Sequence, residues 1–194
     1  MSVSALPPDS AIYVPFRLGR RPAAFKALAV LAATGVLAAC SWISVPMLPV
    51  PVTMQTLGVT VVAALFGWRL GTAAILAWLA EAAIGLPVLS AGHSGIAYLM
   101  GTTGGYLLAF VLTGLLVGAA AEKGWTVRSL ASAFVVMAAA NLFILGIGAA
   151  WLAMFVGASK AVALGVTPFL IGGILKAALA ACGIEAARRH LPLR

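Results

Sequence analysis

The sequence predicts an all-α membrane protein, a bundle of six transmembrane helices forming a single domain. Hydrophobic residues make up 63% of the 194 residues and charged residues only 8%, and the mean hydropathy is +1.14. A helical span needs about 20 apolar residues, so a chain of this length has room for about six spans and no soluble domain beside them. The apolar segments are continuous and lack the polar alternation of outer-membrane strands, which favours helices over a barrel.

Proline, glycine and charge clusters divide the chain into a short N-terminal tail, residues 1–22, and six apolar segments. The tail is basic, but no convincing cleavage site follows it, so we expect a retained first span rather than a signal peptide. The second and third segments are short and are joined by Gly67–Gly71, which predicts a hairpin that is tilted or that does not cross the full thickness of the membrane alone. The helices are expected at residues 24–44, 53–67, 70–84, 98–121, 129–156 and 166–187.

Basic residues are distributed unequally over the connections between these helices. If the connections alternate between the two sides of the membrane, one side receives only Lys160, and the other side receives Arg17, Arg20, Arg21, Lys26, Arg69, Lys123, Arg128, Arg188, Arg189 and Arg194. The positive-inside rule then predicts cytoplasmic N- and C-termini in a multi-pass protein of the bacterial inner membrane. The net charge of +8 therefore indicates topology and not a nucleic-acid-binding surface.

Two connections on the sparsely charged side are apolar. The first, residues 45–56, is rich in proline, and the second, residues 85–95, is rich in glycine. Irregular backbone at a membrane surface must find protein or water as hydrogen-bond partners. We therefore expect both connections to fold back over an outward-facing cavity.

Lys176 stands in the middle of an apolar run, Val166–Ala187. A charge at the bilayer centre costs about 2.5 to 3.5 kcal/mol on insertion scales, so it is kept where a partner, a ligand or a water-filled cavity receives it. This position predicts a ligand-binding role. The alternative is a structural ion pair with Glu81, which lies near the external end of its own helix and is equally suited to facing water.

Few other side chains within the spans suit chemistry. No nucleophile lies beside a base, and no cluster has metal-ligand spacing, so we expect neither an enzyme, nor a metal site, nor a cofactor. An apolar pocket with a few oriented polar groups needs less. The remaining candidates for such a pocket are Asn141, Tyr106, Glu81 and His93 as polar contacts and Trp151 as an apolar wall.

Three features have an alternative explanation in helix packing. Asn141 is also suited to an interhelical hydrogen bond. The segment Gly101–Tyr106 offers backbone amides at a helix N-terminus, which suit an anionic group, or glycines that let two helices approach closely. Small residues four apart on the first helix predict a surface for a partner helix, although such pairs are common in alanine-rich spans; they include Ala23, Ala27, Ala29 and Ala33.

Four segments, taken together and in order, resemble the BioY family, the biotin-binding S components of energy-coupling factor (ECF) importers. They are Val45–Leu57, Gly85–Val88, Gly101–Leu107 and Thr167–Lys176. The resemblance implies six helices, cytoplasmic termini and an outward-facing pocket for biotin or a close analogue. It also implies docking on a transmembrane coupling protein driven by two ATPases, so this chain is expected to bind its ligand without hydrolysing ATP.

The chain departs from the family pattern at the last helix. Lys176 matches the family lysine, but the aspartate usual three residues before it is replaced by Gly173. Thr102 also replaces a usual proline. An aspartate and a lysine three apart lie on one helix face and neutralise each other. Without the carboxylate, either biotin is held differently, or the ligand is a relative of biotin, or binding is impaired; biotin is the best single prediction.

Two other classes of function stay open at this point. One is a self-sufficient secondary carrier or channel in which Glu81 and Lys176 relay protons. The other is a membrane scaffold without a ligand, in which the inward polar groups serve packing alone. The sequence also leaves open whether the chain, surrounded by membrane lipid, works alone, as a homo-oligomer or with coupling proteins.

Overall fold

The computed structural model describes residues 22–190, and this part of the chain is nearly all helical. Predictions that concern Arg17, Arg20, Arg21 and Arg194 lie outside the described residues. A short antiparallel ribbon, β1 (Ser44–Val45) with β2 (Val52–Thr53), and a 3-10 turn, Ser90–Gly92, interrupt the helices. The helices are α1 (Ala23–Trp42), α2 (Gln55–Ala83), α3 (Ile96–Leu99), α4 (Gly104–Glu122), α5 (Leu130–Val156), α6 (Ala158–Gly165) and α7 (Phe169–His190).

Five of these helices, α1, α2, α4, α5 and α7, are long and apolar enough to cross a membrane. Their outward surface is apolar as well: Leu28 is 65% exposed, Val135 63% and Ile171 76%. Large apolar side chains at such exposure are characteristic of a surface that faces lipid rather than water. The prediction of an all-helical membrane bundle is therefore confirmed.

Helix α2 reverses direction at Gly67. The φ of 77° and ψ of 175° at this residue are not helical, and such a positive φ favours glycine. A Cβ on Gly71 would lie 2.9 Å from the Cα of Ala63, whereas eight residues of continuous helix span about 12 Å. The two halves of α2 thus fold back on each other, within the segment 67–71 in which the sequence predicts a hairpin. The backbone N–H of Trp68, just after the reversal, donates to Glu122 Oε1 at 3.3 Å.

Other boundaries differ from the predicted ones. The predicted helix 98–121 is divided into the short α3 and α4, and the predicted connection after residue 156 contains the extra helix α6. Gly157, with a φ of 83°, separates α5 from α6. The last helix begins at Phe169 rather than at 166, because Pro168 disfavours helical backbone at the residue before it. These differences arise at glycine and proline residues, which end or divide a helix inside a segment that is apolar throughout.

The core is built around α2 and α4. Ile75 and Trp78 of α2 are fully buried together with Ile144 of α5. Helix α4 approaches α2 closely because it presents glycines there: a Cβ on Gly118 would collide with the backbone of Trp68. Helix α1 packs on α2 and helix α7 packs on α5. This arrangement brings the starts of α2 and α4, the middle of α5 and the first half of α7 around one space.

Candidate ligand-binding site

A cavity opens between the segment that enters α2, the start of α4, and the facing sides of α5 and α7. Its empty volume is about 480 Å³, including the part that is open to solvent. The wall is largely apolar with a few polar groups, as is usual for small-molecule sites. It is lined by Val50, Pro51, Thr53, Gln55, Thr56, Tyr98, Thr103, Tyr106, Leu107, Phe110, Ile144, Leu145, Phe169 and Lys176.

Lys176 reaches this cavity from α7 and is only 7% exposed. Its Nζ donates a hydrogen bond to the backbone oxygen of Thr53 at 2.7 Å. This bond uses one of the three ammonium donors. In the part of the chain that the structure describes, the ion pairs join Glu185 to the arginines of its own helix, and none joins Lys176 to Glu81. Lys176 is therefore a buried cation with donor capacity left for a ligand.

Thr53, whose backbone carbonyl accepts from Lys176, also takes part through its side chain in a buried hydrogen-bond network. Thr53 Oγ1 donates to Gln55 Oε1 at 3.1 Å, and Gln55 Nε2 donates to Ser41 Oγ at 3.1 Å. Ser41 in turn donates to the Leu37 carbonyl at 2.7 Å. The network thus connects α1, through the start of α2, to the lysine of α7. Sequence reasoning placed neither Ser41 nor Gln55 in the site.

Tyr106 forms part of the cavity wall with its ring. Its hydroxyl donates to the Gly165 carbonyl at 2.8 Å, which ties α4 to the end of α6. The ring stacks against Phe169 at a centroid separation of 6.4 Å, and Gly148 of α5 leaves the space that the ring occupies. The polar contact predicted for Tyr106 is therefore already directed at the protein, whereas its aromatic face borders the cavity.

Asn141 and Gly173 lie next to each other, on α5 and α7, and neither is among the residues that line the cavity. A Cβ on Gly173 would lie 3.8 Å from Asn141 Oδ1, which is an ordinary van der Waals distance. Asn141 donates through Nδ2 to the Met137 carbonyl of its own helix at 2.9 Å. A side chain at position 173 would thus meet the free amide oxygen of Asn141 without displacing it.

Trp151 also lies outside the cavity lining. Its indole N–H donates to the Gly101 carbonyl at 2.9 Å. A Cβ on Gly104 or Gly105 would press against the Trp151 ring. Of the two explanations for the glycine-rich segment, helix packing is the one that the contacts support. Trp151 fixes the beginning of α4 and so acts on the cavity wall indirectly.

His93 and Glu81 lie at the margin of this region and do not line the cavity. The exposed His93 ring stacks on Tyr98 with a centroid separation of 4.6 Å, and its Nδ1 lies 2.6 Å from the Ser90 carbonyl. Tyr98 does line the cavity. Burial raises the pKa of the Tyr98 hydroxyl above its ordinary value, and a hydrogen bond with Thr103 partly offsets this. His93 therefore supports a lining residue instead of facing the cavity itself.

The four alanines of α1 do not form one continuous exposed surface. Ala23 and Ala27 are exposed and Ala29 is half-buried. Ala33 is 2% exposed and packs in the core of the bundle. The prediction that Ala33 faces a partner is wrong, because the helix face that carries it is turned toward the core.

Residues 18–193 match the model of the BioY family. This chain belongs to the BioY family. Biotin transporter BioY2 of Lactococcus lactis subsp. cremoris is 40% identical to it over 150 residues, which are 74% of this chain and 79% of the relative. The probable biotin transporter BioY of Pyrococcus horikoshii is 38% identical over 138 residues, 71% of this chain and 80% of the relative.

The fold is similar to that of a solved structure, the crystal structure of the S-component for biotin from an ECF-type ABC transporter. The two superpose with a TM-score of 0.74 and are 26% identical, covering 87% of this chain and 95% of the other. The resemblance inferred from the four segments is thereby confirmed. The buried network of Thr53, Gln55 and Ser41 was not predicted from the sequence. The Thr-x-Gln-Thr sequence at 53–56 could have indicated it, because the side chains of Thr53 and Gln55 bond each other.

Proposed function

We propose that this BioY-family chain is the substrate-binding subunit of a biotin importer. The observation that carries the proposal is the buried Lys176 ammonium on the wall of a largely apolar cavity. Biotin combines an apolar tetrahydrothiophene ring and alkyl chain with polar ureido and carboxylate ends, which matches such a wall. The relatives with this fold are named biotin transporters, and they are transporters rather than enzymes.

The cavity would receive biotin from outside the cell, and the termini would lie in the cytoplasm. Two observations support this topology. The reversal at Gly67 divides α2 into two short antiparallel halves, which would return the chain to the side from which α2 starts, so that the five long helices would provide six alternating segments. The ten-to-one distribution of basic residues over the connections supports a cytoplasmic location of the termini. In this proposal the chain resides, surrounded by lipid, in the bacterial inner membrane.

Transport would follow docking on an ECF coupling protein with its ATPases. The solved relative is named as a component of an ECF-type ABC transporter, which supports this assembly. On α1, the exposed Ala23 and Ala27, one turn apart, offer a small-residue surface for a partner helix. The chain would bind biotin and leave ATP hydrolysis to its partners.

Within the pocket, Lys176 would donate to an oxygen of biotin and Tyr106 would provide an aromatic wall. Gly173 leaves this face of α7 without the acidic neighbour that the family resemblance leads one to expect. Asn141, whose Nδ2 is bonded to its own helix, would use its Oδ1 as a hydrogen-bond acceptor in place of the missing carboxylate. Trp151 and His93 would support the wall through their neighbours, and Glu81 would remain at the margin.

Binding of biotin to the purified protein in detergent, measured by calorimetry, tests the proposal. We expect saturable binding by the unmodified protein. Lys176→Ala removes a charged hydrogen-bond donor and should weaken binding about tenfold to a hundredfold. Lys160→Ala, which removes an exposed lysine from α6, is the matched control and should bind normally. Unmodified protein that shows no saturable binding of biotin would contradict the proposed function.

A further inference from the structure

Thr56 lines the cavity, and its buried hydroxyl has no hydrogen-bond partner among the described residues. Burying a hydroxyl without a partner is unfavourable, because the group loses its hydrogen bonds to water. Helical threonines usually avoid this by bonding a carbonyl three or four residues earlier. Thr34 and Thr60 do so, with the carbonyls of Leu31 and Thr56, each at 2.9 Å.

Its place in the fold brings Thr56 near the buried cation on the cavity wall. Thr56 lies in the first turn of α2 and follows Thr53, whose carbonyl holds Lys176, by three residues. Three residues of chain span at most about 10 Å. Thr56 and Lys176 therefore line neighbouring parts of the cavity wall. An ammonium only donates, whereas a hydroxyl both donates and accepts, so together they suit a polar group of mixed character.

Three other buried threonine hydroxyls among residues 22–190 also have no partner, and they show that the missing bond alone does not define a site. They are the hydroxyls of Thr72, Thr113 and Thr126, none of which lines the cavity. Thr113, fully buried in α4, has the same side chain and the same unmet hydroxyl. What distinguishes Thr56 is the combination of an unmet hydroxyl with a position on the cavity wall.

We propose that Thr56 is a ligand-binding residue whose hydroxyl hydrogen-bonds the same polar end of the ligand as Lys176. The inference rests on the proposed function and names a further contact of that site. A ligand group that carries a carbonyl or carboxylate oxygen would receive Lys176 and Thr56 at once. Ligand binding would then satisfy a hydroxyl that the unliganded protein leaves unmet, so this contact favours the bound state specifically.

The substitution Thr56→Val tests this assignment because it replaces the hydroxyl with a methyl group of similar shape. We expect biotin binding to weaken about fivefold to fiftyfold. The thermal stability of the unliganded protein should stay equal or rise, since an unmet hydroxyl is removed. Thr113→Val is the matched control: it should show the same effect on stability and bind biotin like the unmodified protein.

Thr56→Ser separates the hydroxyl from the methyl group. It keeps the hydroxyl, so it should bind biotin much more tightly than Thr56→Val. If Thr56→Ser is as weak as Thr56→Val, the side chain acts through packing and the assignment is overturned. Thr56→Val binding as tightly as the unmodified protein would also overturn it, while leaving biotin binding intact. If the unmodified protein itself fails to bind, the proposed function falls and the assignment falls with it.

Biotinol, in which the carboxylate is reduced to an alcohol, identifies the end of the ligand. The weakening caused by Thr56→Val should shrink with biotinol if Thr56 contacts the carboxylate and should persist in full if it contacts the ureido group. Either result supports the contact, because each locates the hydroxyl on one polar end. A variant that weakens biotin but strengthens biotinol would contradict a shared polar end with Lys176.

Discussion

The α2–α4 interface and the cavity differ in how closely their residues pack. At the interface, Gly114 and Gly118 bring α4 so close to α2 that a Cβ on either would press on Ile75 or on the backbone of Trp68. At the cavity, polar groups replace tight packing: Lys176, Thr53 and Thr56 surround empty space. If the interface stabilises the fold and the cavity binds the ligand, as proposed, substitutions in the two regions should separate stability from affinity.

The largest expected effect is on the interface. Gly118→Ala introduces a Cβ that collides with the Trp68 backbone, which cannot move like a flexible side chain. Overpacking of this kind destabilises by about 1 to 3 kcal/mol, occasionally more. Thermal unfolding in detergent should show a clear loss of stability or of folded yield. In the control Gly146→Ala, the added Cβ meets nothing within 4 Å, so stability should be unchanged or slightly higher. Equal stability of the two variants would refute the distinction between the regions.

A smaller effect, confined to affinity, is expected from Gly173→Asp. The position has room for a Cβ, and a carboxylate there would share the helix face of Lys176 and supply a ligand acceptor. We expect biotin to bind about threefold to tenfold more tightly, as measured by calorimetry. Gly173→Asn, similar in shape but neutral, should gain less. Weaker binding by the aspartate variant would mean that this chain has retuned its site around glycine.

The smallest effect is expected from Ser41→Ala, which lies outside the cavity lining. It removes the acceptor of Gln55 Nε2 and so loosens the network that orients the Thr53 carbonyl. We expect biotin affinity to fall about twofold to tenfold. Thr34→Ala removes a comparable buried hydroxyl from the same helix, but Thr34 bonds only its own helix backbone, so affinity should not change. Equal losses in the two variants would indicate a general effect on α1.

Local sequence signals were sufficient to predict an all-helical membrane protein and to single out Lys176 as a side chain that needs a partner. The apolar runs predict helices because lipid requires every backbone group to be bonded within its own segment. The charge in one such run marks Lys176 because a charge in the middle of an apolar span is costly unless a partner, a ligand or water receives it. The positive φ at Gly67 is likewise a local property, and glycine at that point predicted the break in α2.

Local sequence signals did not show which side of each helix faces the core. Alanine, glycine and leucine cover all sides of α1, α4 and α5, so the sequence carries no polar stripe that would show which side turns inward. For this reason Ala33 was expected on a partner surface and lies in the core, while Ser41 and Gln55 were not placed in the site. Trp151 was expected as a cavity wall and instead packs on the glycines of α4.

The sequence by itself determined that this protein is an all-helical membrane protein of the BioY family, and it marked Lys176 as the charge within an apolar helix. Only the tertiary structure decided what Lys176 contacts: the Thr53 carbonyl, which is 123 positions away along the chain. The physical reason is that a buried charge is costly wherever it stands in an apolar helix, whereas its partner depends on how distant helices pack. In lipid that packing is governed by shape and close approach, which the apolar residues of one helix do not reveal on their own.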